Sequence, residues 1–381
     1  MSVLARFDVA IAGGGIVGCA CALACAQRGL RVALVERDVL GSGATAAGMG
    51  HIVVMDDSEA QFALTRSSQE LWRRLELPLA AEYVETGTLW VAMDREEMEG
   101  AERKCASYRE RGVPCRLLTT RELAEAEPNL APGLAGGLLV PQDAVAYPPT
   151  VALELARRAE GLGARIMVGR AVKALGHGLL LLDDGTEVRA ERLVQAQGAD
   201  ATIAMPELPI RKRKGHLVIT DRYPGFVRHQ LVELGYLKSA HGTEADSVAF
   251  NVQPRTTGQV LIGSSRQYGD ESSKVDQRIL SAMLARAVVY LPGVSQLNVI
   301  RVWTGFRAAT PDKLPLIGPS VDDQTVWLAT GHEGLGITTS LATAELIAAG
   351  LTGGQPLIAP EPYLPGRFGK LAPNVNAGKE G

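Results

Sequence analysis

Three groups of residues in this chain have the types and spacing to do chemistry. Near the start, Gly13, Gly15 and Gly18 stand in the pattern G-x-G-x-x-G, and Glu36 follows them. Glycines so spaced let a backbone turn tightly, approach a pyrophosphate and press a helix against a sheet. A carboxylate at the end of the next strand accepts hydrogen bonds from a ribose and disfavours a 2′-phosphate. Toward the end of the chain Arg307 lies in the otherwise apolar "VWTGFRAAT", with Asp312 the one acid near it in sequence. A guanidinium there reads either as a fork for a carboxylate or as half of an internal ion pair. Beyond it, Gly331, Gly334 and Gly336 of "TGHEGLGITTSL" let a loop hug a ligand. The helix expected from near Ile337 would aim its N-terminus at developing negative charge.

These residues need elements to hold them. Residues 9–26, "VAIAGGGIVGCACALACA", carry no charge, which raises a spanning or export segment as alternatives. Asp8 directly precedes the run, Arg6 is its one nearby cation, and three consecutive glycines would each weaken a spanning helix by about 1 kcal/mol relative to alanine. Gly29 then closes a helix and "RVALVERD" reads as a buried strand ending in an acid. The segment therefore parses as strand, glycine turn, helix, strand, the layout of a dinucleotide site. Cys19, Cys21 and Cys25 read as small apolar helix residues.

At 381 residues the chain fits about two domains. Its 46% hydrophobic and 21% charged residues are those of a soluble globular protein, and a net charge of −3 gives no electrostatic footprint for nucleic acid or an anionic membrane. All five cysteines precede residue 116 and none forms a zinc spacing, so a reducing, cytoplasmic compartment is expected.

Past the acid, "GSGATAAGMGHI" places Ser42, Ala44, Thr45, Ala47 and Gly48 where a large flat ligand could lie against backbone. That crowding suits an extended flavin better than a nicotinamide, and no second glycine fingerprint occurs mid-chain. Residues 53–145 mix polar helices, as in "ALTRSSQELWRRL", with the strand-like "ETGTLWVAMD". A helix after Pro148 and Pro149 leads to a strand containing Val172, and a hairpin turning at Asp184-Gly185 leads to a strand ending at Ala196, Gln197 and Gly198. The basic run Arg211–Lys214 reads as a nucleic-acid patch only against the acidity of the whole chain. From 217 to 300, short strands and polar turns are expected to form an antiparallel sheet roofing a cavity.

"DVAIAGGGIVG", the glutamate ending "ALVER" and "GSGATAAG" together resemble the D-amino-acid oxidase superfamily, in its glycine oxidase and sarcosine oxidase branch. "RKRKGHLVITDRYPGF", "VAFNVQPRTTGQVLIGSSRQ" and "GHEGLGITTSL" look like the β subunits of bacterial D-hydroxyproline dehydrogenases, with opine oxidase and hydrogen cyanide synthase subunits as kin. The resemblance spans nearly the whole chain. It implies an α/β fold, α+β overall. A Rossmann-like FAD-binding domain would take residues 1–80, 146–205 and 301–381, and a substrate domain on an antiparallel sheet would take 81–145 and 206–300. FAD would be held noncovalently, since no cysteine lies at 300–320, where some sarcosine oxidases attach it.

The resemblance gives the cofactor to Gly13, Gly15, Ile16, Val17, Gly18, Glu36 and Arg37, and to Ser42, Ala44, Thr45, Ala47, Gly48 and Met49. It adds Val172, Ala196 and Gly198, then Gly334, Leu335, Gly336, Ile337 and Thr338. Arg307 would clamp the substrate carboxylate, with Met49, His51, Phe250 and Asn251 facing the cavity. Relatives usually carry proline after that arginine, whereas Ala308 stands here. His216 either approaches the flavin ring or packs structurally, and His332 and Glu333 either touch the ring's edge or support it. No side chain is expected to act as a general base.

The implied reaction is oxidation of a D-amino or imino acid, above all cis-4-hydroxy-D-proline, by hydride transfer from the α-carbon to flavin N5, with electrons passed to an acceptor other than NAD. Partner subunits carrying an Fe–S centre or a second flavin are implied too, because this chain has no cysteine cluster for Fe–S. The protein would work in the cytoplasm, at the inner face of the membrane through such partners, without a transmembrane segment or nucleic acid. Two other classes stay open: an oxygen-using glycine or sarcosine oxidase, with opine oxidase or hydrogen cyanide synthase-like subunits beside it, and a non-catalytic FAD-binding assembly subunit.

Overall fold

The structure, a computed structural model, describes residues 6–235 and 246–369. In β1 (Phe7–Ala12), Val9 and Ile11 join the core on one face and Ala10 and Ala12 the core on the other. Burial on both faces is what a central parallel strand requires, and it explains the charge-free sequence. The chain continues through β2 (Val32–Val35), β3 (His51–Ile52), β4 (Thr88–Ala92), β5 (Arg116–Thr119), β6 (Gly136–Val140), β7 (Ala144–Val145), β8 (Arg165–Met167), β9 (Val172–Gly176), β10 (Leu179–Leu182) and β11 (Glu187–Gln195). It then forms β12 (Arg211–Arg222), β13 (Gln230–Glu233), β14 (Ser247–Pro254), β15 (Gln259–Arg266), β16 (Val299–Ala309), β17 (Leu316–Pro319) and β18 (Val326–Thr330). The helices are α1 (Ile16–Gln27), α2 (Ala44–Ala47), α3 (Glu59–Arg74), α4 (Arg95–Glu110), α5 (Thr120–Ala126), α6 (Pro148–Gly161), α7 (Ala201–Ala204), α8 (Gln277–Tyr290) and α9 (Gly336–Thr352).

The first sheet runs β17-β18-β11-β1-β2-β8, parallel from β18 to β8, with β9 and β10 folded back antiparallel beside β11. Helix α1 is buried almost throughout, and its cysteines and alanines let α6 and α9 pack against it. The uncharged run 9–26 is thus the β1–α1 unit at the centre of the core. No helix among the described residues is long and apolar enough to cross a membrane.

The second sheet runs β16-β12-β15-β14-β13-β4-β6-β5. It departs from the expected antiparallel sheet at one place, where β13 runs parallel to β4. Strand β16 pairs with β12 along its whole length, so residues 301–309 lie in this sheet and not with the first, where the sequence division puts them. Residues 277–290, expected within strands and turns, form α8 instead. Ile279, Met283, Ala287 and Tyr290 recur at helical spacing and are buried together, and the Asp276 side chain caps the helix by accepting from Arg278 N and Ile279 N.

Candidate functional site

One cavity of about 500 Å³ lies where the two sheets meet. Its first wall is the β1–α1 turn. Gly13 has φ +107°, and a Cβ there would stand 2.5 Å from the Ala196 carbonyl oxygen. A Cβ on Gly15 would meet Thr45 Oγ1 at 3.2 Å, and one on Gly18 would collide with the Gly13 carbonyl. The first two glycines therefore open the cavity to backbone, whereas Gly18 lies outside its lining and serves the packing of helix on strand. The N-terminus of α1 opens into the cavity, with Ile16 N donating to Thr45 Oγ1 at 3.0 Å.

Glu36 follows β2 and is buried at the cavity wall. Its two oxygens accept from Gly14 N at 2.6 Å and Asp38 N at 2.9 Å, so the carboxylate that would meet a ribose also ties down the glycine turn. Arg37, Val172, Ala196 and Gly198 line the same end, and Ser42, Ala44, Thr45, Ala47, Gly48 and Met49 continue the wall. At the far end stand Gly331, Gly334, Gly336 and Ile337 beside the start of α9. Leu335 and Thr338 do not line the cavity. Leu335 turns into an apolar cluster with Val53 and Trp90, and Thr338 Oγ1 donates to the His51 carbonyl at 2.8 Å.

The second sheet supplies the remaining wall through Gly215, His216 and Leu217 of β12, Asn251 of β14, Ser264 of β15 and residues 304–308 of β16. Leu217 and Ser264 escaped sequence reasoning. The alternation of β12 and β15 marks their faces, but nothing local says which face meets a ligand. Phe250 does not reach the cavity: it is fully buried on the opposite face of the sheet, stacked on Tyr290 at 4.5 Å between ring centres. Strand alternation makes this necessary, because Phe250 and Asn251 cannot share a face.

Arg307 lines the cavity and its Nη1 donates to the Ser265 carbonyl at 3.0 Å, which orients the guanidinium. Asp312, its nearest acid in sequence, pairs with Arg367 at 2.6 Å instead. The acid that acts on Arg307 is Glu333, whose N–H donates to the Ala308 carbonyl and whose carboxylate takes Arg213 Nη1 at 2.5 Å and Gly334 N at 2.7 Å. Burial opposes the charge on Glu333, yet Arg307, Arg213 and Arg266 hold its carboxyl below the usual range. Three of the four residues of the basic run are paired within the molecule: Lys212 with Asp200 and Glu271, Arg213 with Glu333, and Lys214 with Asp270 at 2.6 Å, while exposed Arg211 lies over the Tyr268 ring.

Three histidines line the cavity, and burial keeps all three neutral. His216 Nε2 accepts from Asp276 N at 3.0 Å, which puts the proton on Nδ1, facing Ser265 Oγ at 2.9 Å. Both ring nitrogens are committed, so His216 holds structure, and burial, then Lys214, lowers its pKa. His332 is pushed down to about 4 by burial and pairs with Thr343 Oγ1 at 3.0 Å. His51 is also pushed down to about 4, by burial first. Its Nε2 has no protein partner, and neither has Asn251 Oδ1 or Ser264 Oγ. Buried polar atoms left so at a cavity wall await a ligand or water. Among the described residues no cluster of His, Cys, Asp and Glu could hold a metal ion.

The wall thus passes from a ribose-type carboxylate, along backbone-lined glycines and a helix N-terminus, to a second helix N-terminus facing an arginine. The family model DAO, described as FAD dependent oxidoreductase, matches residues 8–349. Glycine oxidase of Geobacillus kaustophilus (strain HTA426) is 29% identical over 90% of this chain and 92% of that one. Hydrogen cyanide synthase subunit HcnC of Pseudomonas aeruginosa is 26% identical over 90% of this chain and 91% of its own. The crystal structure of L-proline dehydrogenase from P. horikoshii superposes with a TM-score of 0.85 at 25% identity, covering 96% of this chain and 99% of that one.

Proposed function

We propose, from the premise that this chain belongs to the DAO family of FAD dependent oxidoreductases, that it oxidises a D-amino or imino acid, above all cis-4-hydroxy-D-proline, and passes the electrons to an acceptor other than NAD. That the protein is an FAD-dependent oxidoreductase of amino acids or amines follows from the family and the glycine oxidase likeness. The observation that carries the finer reading is Arg307, held by Ser265 in the same cavity as the start of α9, with three partnerless polar atoms around it.

When bound, noncovalently, FAD supplies the acceptor for a hydride from the substrate's α-carbon. Arg307 offers a planar fork to the carboxylate and so fixes which C–H faces the cofactor loop. Asn251 Oδ1 accepts an N–H of the substrate amine. The guanidinium in the same cavity disfavours the protonated amine, and neutral His51 offers no anion to stabilise it, so the amine reacts as the free base without a side-chain base. Glu333 is unsuited to that task because both its oxygens are already bonded. His51 Nε2 and Ser264 Oγ stand beside Asn251 as further polar sites that a substrate hydroxyl could engage.

In this reading the described residues of 1–80, 146–205 and 310–369 carry the cofactor, while those of 81–145, 206–300 and β16 face the substrate; the ends 1–5 and 370–381 lie outside the described residues. The name of the cyanide synthase relative, a subunit, supports work beside partner chains; in this reading those chains carry Fe–S or a second flavin, in the cytoplasm at the inner face of the membrane. The likeness to glycine oxidase favours a second reading, in which O2 is the acceptor. Anaerobic mixing of the yellow protein with cis-4-hydroxy-D-proline, D-proline, glycine and sarcosine tests both. Bleaching by the hydroxylated ring ahead of glycine, with faster reoxidation by a dye than by air, is expected. Stoichiometric peroxide in air would replace the dehydrogenase reading with the oxidase one, and no bleaching by any substrate would leave an assembly subunit.

A further inference from the structure

Cross-strand register lines up one row of residues on the cavity face of the second sheet. Asn251 of β14 lies opposite Gly263 of β15, and Leu217 of β12 lies opposite Trp303 of β16. The pairing of Val218 with Ile262 puts Leu217 beside Gly263, so the row reads Asn251, Gly263, Leu217, Trp303. Directly opposed residues project to the same face, so the missing side chain of Gly263 leaves a gap in this row, directly behind Met49 and Leu217, which line the cavity.

Gly263 is buried in a strand and has no positive φ, so the left-handed conformation that favours glycine is not what it supplies. What it supplies is room. A Cβ at Gly263 would stand 2.9 Å from Met49 Sδ and 3.0 Å from Leu217 Cδ2, so the Met49 thioether occupies the gap in the row. The backbone of Met49 is pinned there, its carbonyl accepting Gln253 Nε2 at 2.6 Å. Met49 joins Leu217, Ile219, Leu261 and Trp303 in one apolar cluster. A thioether on an unbranched chain is the adaptable filler for such a floor.

We infer that Gly263 is a specificity-determining residue: by seating Met49 it sets the depth of an apolar subsite between Asn251 and Leu217, which takes the substrate's α-substituent and so fits a ring or alkyl group in preference to the hydrogen of glycine. The inference rests on the amino acid reading above for its substrate class. A methyl at position 263 must push the side chains of Met49 and Leu217, both cavity-lining residues, toward the ligand. One methylene of misfit in an apolar pocket is worth about tenfold or more in discrimination.

The test uses the FAD-loaded protein and two carboxylates that do not react, benzoate and acetate, titrated through the flavin's visible absorbance. In Gly263→Ala the ratio of benzoate to acetate affinity should fall about tenfold, and kcat/KM for D-proline relative to glycine should fall with it. Met49→Ala should raise both ratios, and the double variant should return them toward the wild-type values. If Gly263→Ala fails to fold, Met49→Ala and Met49→Phe decide alone, the first raising and the second lowering the benzoate ratio. Ratios that stay within twofold of wild type in every variant overturn the seat, even where amino acids still bleach the flavin. A benzoate ratio that shifts as expected in a protein no amino acid reduces keeps the seat and removes the substrate reading.

Discussion

Replacing Arg307 with alanine tests the centre of the site. The side chain is partly buried, donates to the Ser265 carbonyl and lowers the pKa of Glu333, so its removal takes away both the carboxylate fork and part of a charge balance. Truncating one partner of a hydrogen-bonded charge pair costs about 2–5 kcal/mol, and partial exposure puts this site near about 2–3 kcal/mol. At about 1.4 kcal/mol per decade, carboxylate affinity should drop roughly 30- to 150-fold. Arg307→Lys keeps the charge but loses the fork, and should cost about tenfold, the worth of one charge-assisted hydrogen bond of about 1.5 kcal/mol. Benzoate titration of the flavin spectrum reads the binding, and an amine substrate without a carboxylate serves as the control that the change should spare. Glu333 supplies a second signature. A carboxylate held below its ordinary pKa stabilises above its unfolded value, and that contribution is lost as pH falls through the folded value. With one of its three arginines gone, the loss should begin at higher pH. An alanine variant that stays yellow and binds benzoate within twofold of wild type would refute the clamp and leave Arg307 as an internal ion pair.

Gly13→Ala puts a methyl against the Ala196 carbonyl at a φ of +107°, and should lower stability by at least about 1–3 kcal/mol while depleting FAD, both read from urea unfolding and the flavin content of purified protein. Buried His332, with its pKa near 4, leaves the unfolded chain binding more protons from pH 6.5 down to 4, so stability falls on acidification across that window. Buried Asp143, pushed up to about 7 by desolvation, acts in the opposite sense, since the folded state holds the extra proton and loses stability as pH rises from 3.8 to 7. His332→Gln should therefore flatten the dependence of urea stability on pH between 4.5 and 6.5, and Asp143→Asn should steepen it. Identical slopes in all three proteins would contradict both environments. Cys19, Cys21 and Cys25 are buried with their thiols pushed up by desolvation, and Cys115, at about 12, is the one partly exposed cysteine. Mass spectrometry after iodoacetamide at pH 8 should find slow labelling at Cys115 alone in native protein and at all five cysteines after denaturation.

Much of the cavity wall was legible because its signals are local. The glycine turn, Glu36, the small residues from Ser42 to Met49 and the loop before α9 each announce a backbone conformation within a few residues, and most of them line one cavity. The misreadings have the same cause in reverse. Leu335 and Thr338 sit in that loop, but the turn of α9 carries them away from the cavity into Val53, Trp90 and the His51 carbonyl. Asp312 is near Arg307 in sequence but is drawn off by Arg367, and the acid that replaces it comes from a different loop. Residues 277–290 carry a helical stripe that a reading of regular strand spacing passes over.

The amino-acid sequence by itself determined the parallel βα core, the glycine turn at its first strand and the presence of an arginine in an otherwise apolar stretch, since each depends on spacing, periodicity or burial along a short stretch. Tertiary structure alone decided which residues the arginine meets. Long-range register turns Asn251 inward and Phe250 outward, sets Gly263 beside Leu217, and brings Met49 from a loop more than two hundred residues away to fill the space between. A strand specifies that its side chains alternate, but which alternate faces a ligand is settled only when its neighbours pair with it.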